Sequence, residues 1–317
     1  MALRTSDGSV AWRSHNQGMT HATPALATIQ GVRQVIFATQ NGLVSLNPLT
    51  GDLLWQAGYP FSYSTSLAVS PAIDGDMIFV SGVYTMASLV VRAAVTNGVW
   101  TTTRLWSNHN ADSHWMTPVA REGFLYGQCG DGRFDSQLKC IDMRTGAVKW
   151  SAPNFGRGAT LLVDDHLVSI TEFGDLVLAK PATNAYTEVA RFTAIPGYHD
   201  FTNKCWNAPA VADGRVYVRS TTFVACFDLS VPRLKMEVPQ FAGPNALNLS
   251  IRTVNGAPVD SNRLAALEVR ATTALTLALT QWNKLTNSLV LTGGVVRVQN
   301  IGAGTNTQRY FIVTEPQ

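Results

Sequence analysis

The feature that most constrains this chain is a unit of about 45 residues that returns along most of its length. The clearest copy runs from Met116 to Trp150 and contains a Thr-Pro opening, several short apolar runs separated by polar turns, and a closing tryptophan. The proline that opens the unit recurs at Pro24, Pro71, Pro118 and Pro209, and a copy without proline starts at Thr160. Repeats of this length with four short strands each are typical of β-propeller blades.

A second fixed feature is a tight turn in which a glycine precedes a tryptophan by four residues. The glycine supplies the positive φ of a hairpin turn, and a preceding Asp, Asn or Thr side chain hydrogen-bonds the turn backbone. We expect each indole to lie between neighbouring blades, where it buries a large apolar area. The three glycine–tryptophan pairs are Gly8 and Trp12, Gly51 and Trp55, and Gly146 and Trp150.

The combined pattern resembles the tryptophan-docking repeat of pyrroloquinoline-quinone (PQQ)-type propellers, over roughly residues 1 to 240. That group includes quinoprotein alcohol dehydrogenases and the propeller lipoprotein of outer-membrane protein assembly. For a dehydrogenase, the resemblance would imply PQQ stacked on a tryptophan, a calcium ion or lanthanide held by carboxylate and amide oxygens, and an aspartate base. The adjacent cysteines of many such enzymes are missing here, and no motif assigns the calcium ligands. WD-repeat and kelch signatures are also missing.

The predicted fold is therefore all-β, a propeller of four-stranded antiparallel blades followed by a small sandwich-like module. Five blades and an initial half-blade are recognisable, which assigns residues 1–241 to the propeller and residues 242–317 to the module. The chain begins at what should be a third strand, so either an initiating segment is missing or the first residues close the ring. We favour the missing segment, because the fifth blade already has a candidate third strand near Thr222 to Leu229.

Composition excludes several classes of function. Charged residues make up 14% of the chain and the net charge is +3 without a basic run, so a nucleic-acid footprint is not indicated. No segment reaches the 18 or so apolar residues of a membrane span. The four cysteines show no zinc spacing; we expect buried thiols, although Cys129 and Cys140 lie on neighbouring predicted strands that a disulfide could join.

Candidate ligand-binding residues lie in the loops that open the third and fifth blades. Loops before the innermost strands form one rim of a propeller, where ligands bind. Both loops place a tryptophan three residues before the opening proline and carry histidine with aspartate. In one interpretation, these loops form a polar site with aromatic walls that binds a sugar, a quinone or a metal. In the other, the tryptophans pack under the rim and the polar residues are solvated loop residues. The candidates are His109, Asp112, His114, Trp115, His199, Asp200 and Trp206.

The sequence favours a non-enzymatic function, because the scaffold is intact while no catalytic or metal-binding residue can be assigned from a motif. The favoured hypothesis is a binding or scaffold propeller for a protein or glycan partner in the cell envelope or outside the cell. The alternative is a degenerate quinone-dependent dehydrogenase that binds PQQ and calcium in the propeller funnel.

Overall fold

The structure is a computed structural model that describes residues 1–60, 67–82, 86–130, 136–197, 202–304 and 308–315. It is built almost entirely of antiparallel strands, which confirms the predicted all-β class. Two compact units are present, Met1–Leu229 and Ser230–Gln317. No helix in the described ranges is long and apolar enough to cross a membrane.

Within the described residues, the first unit contains one two-stranded sheet, four four-stranded sheets and one three-stranded sheet, in chain order. The half-blade consists of β1 (Ala2–Leu3) and β2 (Val10–Trp12). Blade 1 contains β3 (Ala25–Ile29), β4 (Val32–Thr39), β5 (Gly42–Leu46) and β6 (Leu53–Gly58). Blade 2 contains β7 (Ala72–Asp74), β8 (Met77–Val80), β9 (Ser88–Thr96) and β10 (Val99–Asn108).

The remaining blades follow the same strand order. Blade 3 contains β11 (Val119–Arg121), β12 (Phe124–Cys129), β13 (Gln137–Asp142) and β14 (Val148–Ala152). Blade 4 contains β15 (Ala159–Val163), β16 (His166–Ile170), β17 (Asp175–Lys180) and β18 (Thr187–Thr193). Blade 5 contains β19 (Ala210–Ala212), β20 (Arg215–Arg219) and β21 (Val224–Asp228).

The hydrophobic core lies between the blades rather than in one central layer. Middle strands such as β5 and β8 are buried along their whole length, because both of their faces are covered by neighbouring sheets. Four separate apolar clusters fill the spaces between blades 1 and 2, 2 and 3, 3 and 4, and 4 and 5. Each blade is thus stabilised mainly by the two beside it, as expected of a propeller.

Two indoles close the spaces between sheets by covering a glycine turn of the next blade. The Trp12 indole lies over Gly51, and its Nε1 donates to the Pro48 carbonyl at 3.0 Å. The Trp106 indole lies over Gly146 in the same way and donates to the Met143 carbonyl at 2.7 Å. A Cβ on Gly146 would come 2.7 Å from the Trp106 ring, and the residue has a φ of +71°, so both space and backbone require glycine there.

Trp150 and Trp55 use different partners. Trp150 donates to the Ala182 carbonyl of blade 4 at 2.8 Å and packs against Tyr186, with 5.5 Å between ring centroids. Trp55 packs in the cluster between blades 1 and 2, but its Nε1 donates to Gln34 of its own sheet at 2.6 Å. In blade 2, strands β9 and β10 form a long hairpin around Gly98. The indole that packs against blade 3 is therefore Trp106, further along β10 than the position four residues after Gly98.

The second unit has two sheets around one apolar core, as the predicted sandwich-like module requires. One sheet contains β22 (Leu234–Met236), β23 (Gln240–Gly243), β24 (Ala246–Thr253), β27 (Leu289–Thr292) and β28 (Val295–Gly302). The other contains β25 (Glu268–Thr272), β26 (Asn283–Lys284) and β29 (Tyr310–Thr314). Two 3₁₀ helices, Ser261–Ala266 and Leu279–Gln281, connect the strands.

One detail of the sequence interpretation is wrong, the boundary between the propeller and the C-terminal module. The segment from Arg233 to Pro239 follows blade 5 in the chain but does not complete it, because Leu234–Met236 pairs with β24 in the second unit. The units accordingly divide at Leu229, before the predicted boundary after Phe241. The apolar run Leu275 to Leu279 contains a turn and the start of a 3₁₀ helix, and Trp282 Nε1 donates to the Leu277 carbonyl.

Candidate functional site

The loops before blades 3, 4 and 5 converge and form the candidate site. Trp115 stands three residues before Pro118, Trp206 three before Pro209, and Arg157 three before Thr160, which replaces the opening proline in blade 4. Trp115 and Trp206 come from blades that are not neighbours, yet their ring centroids are 4.8 Å apart. Contact between alternate blades places this cluster on the inner, axial side of the rim.

The predicted residues His114, Trp115 and Trp206 are brought together. The His114 ring lies 4.4 Å from the Trp115 ring, centroid to centroid, and both tryptophans are half-buried. Arg157 Cζ lies 5.7 Å from the Trp115 centroid and 6.0 Å from that of Trp206, and Lys204 Nζ lies 4.7 Å from the Trp206 centroid. Cations at these distances are attracted by the negative faces of the indoles.

A buried carboxylate, that of Glu172, holds Trp206 and the backbone of Arg157 in place. Glu172 is 0% exposed; its Oε1 accepts from Trp206 Nε1 and its Oε2 from the backbone N–H of Arg157, both at 3.0 Å. Gly156, with a φ of +61°, lets the chain pass so close that a Cβ there would meet the Glu172 side chain. Both carboxylate oxygens therefore hold the site together. We call Trp115, Trp206, Arg157, Lys204 and Glu172 the tryptophan cluster.

Asp112 contacts His109 and the backbone of blades 2 and 3. Asp112 Oδ2 is 2.7 Å from His109 Nδ1, and Oδ1 accepts from the backbone N–H of Ser88 at 3.0 Å. The Asp112 carbonyl accepts from Gly130 N at 2.7 Å. Asp112 is 8% exposed, whereas the His109 side chain is largely solvated. These contacts tie the loop to blades 2 and 3, so the Asp112 carboxylate is used structurally. His199 and Asp200 lie outside the described residues.

Two buried polar atoms near this rim have no hydrogen-bond partner within the described ranges. They are Nε1 of Trp115, a donor, and Oε1 of Gln128, an acceptor. The Gln128 side chain is fully buried, and its Nε2 donates to the Ile170 carbonyl at 2.9 Å, which links blades 3 and 4. Buried polar groups nearly always have a partner, so these two atoms are unusual among the described residues.

The observed packing does not fit a quinone and calcium. The Trp115 ring already has His114 at 4.4 Å and Trp206 at 4.8 Å, and Trp206 has Lys204 at 4.7 Å, so both indoles are partly covered by other side chains. The Glu172 oxygens accept hydrogen bonds from donors of the protein itself. No group of three or more His, Cys, Asp or Glu residues suited to a metal is found in the described part of the chain.

The sheets and docking indoles of the first unit form a β-propeller. The family comparison shows that part of this unit is similar to propellers of the PQQ-repeat type. Residues 1–152 match the family described as outer membrane protein assembly factor BamB. The resemblance to PQQ-type propellers is thereby confirmed. No curated protein sequence matches the chain.

Solved structures with similar folds include three proteins of low sequence identity. BamB from Moraxella catarrhalis is 14% identical, with a TM-score of 0.48, 71% of this chain covered and 62% of that one. A europium-containing methanol dehydrogenase is 12% identical, with a TM-score of 0.41 and coverages of 71% and 52%. Myxococcus xanthus glutaminyl cyclase is 13% identical, with a TM-score of 0.33 and coverages of 66% and 93%. The chain thus spans less than two thirds of the first two.

The four cysteines are free thiols, and three of them are buried. In the ladder of β12 and β13, Cys129 is opposite Gln137 and Cys140 is opposite Tyr126, so the two are not a cross-strand pair. Burial raises the pKa of the Cys129 thiol, and raises those of Cys140 and Cys205 to about 11. Cys226, on β21, is exposed.

We expect one fast-reacting thiol in the native protein. At about pH 8, a thiol-specific reagent should modify Cys226 rapidly and the three buried cysteines only after unfolding, because buried, neutral thiols react slowly. Titration with a chromogenic disulfide reagent, with and without denaturant, measures both sets. Cys226→Ser should remove the fast phase; a denatured protein with fewer than four reactive thiols would contradict the free-thiol assignment.

Proposed function

We propose that this chain is a non-enzymatic binding module, a propeller scaffold whose rim holds a protein or glycan partner in the cell envelope or outside the cell. The tryptophan cluster is the observation that carries the proposal. Tryptophan and arginine dominate the energetics of protein interfaces when they lie in pre-formed, partly desolvated positions. Here Glu172 holds Trp206 and the backbone of Arg157 in place before any partner arrives.

A protein partner is favoured over a glycan. Sugars stack on open aromatic faces, whereas the faces of Trp115 and Trp206 are partly occupied by each other, by His114 and by the two cations. The match of residues 1–152 to an outer-membrane assembly factor supports both a protein partner and a place in the cell envelope. A quinone-dependent reaction has no comparable support, because the site residues do not fit the cofactor.

Replacing Trp206 with alanine should weaken partner binding about tenfold or more, the effect of losing an interface hot spot. The immobilised full chain is incubated with envelope extract from its native cells, and retained proteins and glycans are quantified. Phe223→Ala is the matched control, since Phe223 is an exposed aromatic residue of the same unit outside the tryptophan cluster. Equal retention by wild type and both variants, all with unchanged circular dichroism, would contradict the proposal.

A further inference from the structure

Blade 5 is an incomplete sheet with an open outer edge. Blades 1 to 4 each contain four strands, whereas the sheet of blade 5 ends at its third strand, β21, in the part of the chain that the structure describes. The segment that follows in the chain does not supply a fourth strand, because Leu234–Met236 pairs with β24. A strand with one unpaired edge is a template on which another strand can form hydrogen bonds.

The outward backbone groups of β21 belong to alternate residues. The Leu229 N–H donates to the Gly214 carbonyl at 2.7 Å, which extends the ladder between β20 and β21 by one pair. Groups directed toward and away from a neighbouring strand alternate along an antiparallel pair. Odd-numbered residues of β21 therefore bond to β20, and the N–H and C=O groups of Val224 and Cys226 point away from it, toward the open edge.

This edge lacks the features that usually protect an outer strand. Val224 is 77% exposed and Cys226 is exposed, and the run from Val224 to Phe227 contains neither a charge nor a proline. The outermost strand of the neighbouring blade, β18, instead carries Glu188 and Arg191, which form an ion pair at 3.0 Å. Charged residues and prolines discourage pairing between edges, so β21 is the less protected of the two.

The edge is also complementary to itself. If two copies of β21 run antiparallel with Cys226 opposite Cys226, then Val224 of one copy is opposite Asp228 of the other, and Ala225 is opposite Phe227. Every residue of β21 has a partner in this register, whereas a shift in either direction leaves residues at the strand ends unpaired. The outward N–H and C=O of Cys226 bond to the same groups of the second copy.

We propose that β21 is a docking edge for a second copy of this chain, and that two copies pair antiparallel about a two-fold axis at Cys226. The self-complementary register favours a second copy over an unrelated strand. A contact that uses the same surface on both copies closes on itself, so it gives a dimer and not a fibre. One pair of short strands is a small interface, so the dimer is weak and its population rises with protein concentration.

The exposed thiol of Cys226 reports this register directly. Opposite residues of a hydrogen-bonded pair have Cα atoms about 5.5 Å apart, a distance that a disulfide can span. The full chain is incubated with glutathione disulfide and separated on a non-reducing gel. One Cys226 thiolate forms a mixed disulfide and releases a first glutathione; the thiolate of the second copy displaces the other. We expect a covalent dimer whose yield rises with protein concentration, and none with Cys226→Ser.

Val224→Cys in the Cys226→Ser background is the matched control, because it places an exposed thiol on the same face of the same strand. In the proposed register the two introduced thiols are four residues apart along the strands, about 13 Å. That separation exceeds the reach of a disulfide, so covalent dimer should fall at least about tenfold. Equal cross-linking of the two proteins would contradict the register.

Sedimentation velocity without oxidant measures the pairing itself. Val224→Pro removes an outward N–H and leaves the bonds to β20 in place, so it should weaken dimerisation about tenfold or more, while Val224→Ala keeps the N–H and should change it about twofold or less. Circular dichroism verifies the fold of both variants. A chain that stays monomeric at every concentration, or equal effects of the two variants, would overturn the proposal. So would Cys226 that is protected from thiol reagents only after envelope extract is added, since another protein would then occupy the edge.

Discussion

Replacing Trp150 with alanine should lower the free energy of unfolding by about 3–5 kcal/mol, the usual cost of deleting a buried aromatic side chain. The indole is 9% exposed and packs between blades 3 and 4, with Tyr126 at 6.2 Å and Tyr186 at 5.5 Å between ring centroids. Its removal leaves a cavity that two rigid sheets cannot close, and the Ala182 carbonyl loses its donor. Urea unfolding followed by circular dichroism measures the loss.

Two further variants separate the causes. Trp150→Phe keeps most of the ring contacts but not the N–H, so it should cost only about 1–2 kcal/mol. Val148→Ala changes an exposed side chain of the same strand, 38% accessible, and should change stability by about 0.5 kcal/mol or less. If Trp150→Ala were no more destabilising than Val148→Ala, the claim that the indole stabilises the packing of blade 3 against blade 4 would be contradicted.

The blade pattern was readable from the sequence because it depends on local rules. The proline that opens four of the five blades, the apolar middle strands and the glycine turn are all set by residues within one repeat. The strands lie where that pattern predicts them, as in Met77–Val80 and His166–Ile170. The docking of Trp106 was not predicted, because β9 and β10 are nine and ten residues long and separate the indole from Gly98. Spacing rules fail where a hairpin changes length.

The candidate site was predictable only in part. Trp115 and Trp206 could be found because both stand three residues before an opening proline. Arg157 has the same position relative to Thr160, so aligning the copy that lacks proline would have found it. Glu172 carries no such signal, since a charged residue in the short turn after β16 reads as solvated loop. Its burial results from contacts with Arg157 and Trp206, which no local pattern reveals.

Asp112 is a polar loop residue whose observed contacts stabilise the fold. Its oxygens accept from Ser88 and Gly130 and contact His109, so the loop of blade 3 is fastened to the blade before it. That fastening in turn positions Trp115, three residues further along the chain. Structural and binding residues of the rim are therefore coupled: the buried carboxylates Asp112 and Glu172 hold the loops, and the loops present the indoles and cations.

The second large effect is expected for a buried polar residue of blade 1, Gln34, which is 0% exposed. Its Oε1 accepts from Ser45 Oγ and from Trp55 Nε1, both at 2.6 Å. Gln34→Leu has nearly the same volume but leaves two buried donors without an acceptor. Each such donor costs about 1–3 kcal/mol, so we expect a loss of about 2–5 kcal/mol in the free energy of unfolding, measured by urea denaturation.

Adding Ser45→Ala to Gln34→Leu should recover about 1–2 kcal/mol, because one of the two unsatisfied donors is then removed together with its desolvation cost. A destabilisation caused only by misfit of leucine would not be relieved by that second change. Gln56→Leu, at an exposed position on β6, is the control for glutamine-to-leucine replacement and should change stability by about 0.5 kcal/mol or less. Recovery in the double variant would show that Gln34 stabilises blade 1 as the shared acceptor for Ser45 and Trp55.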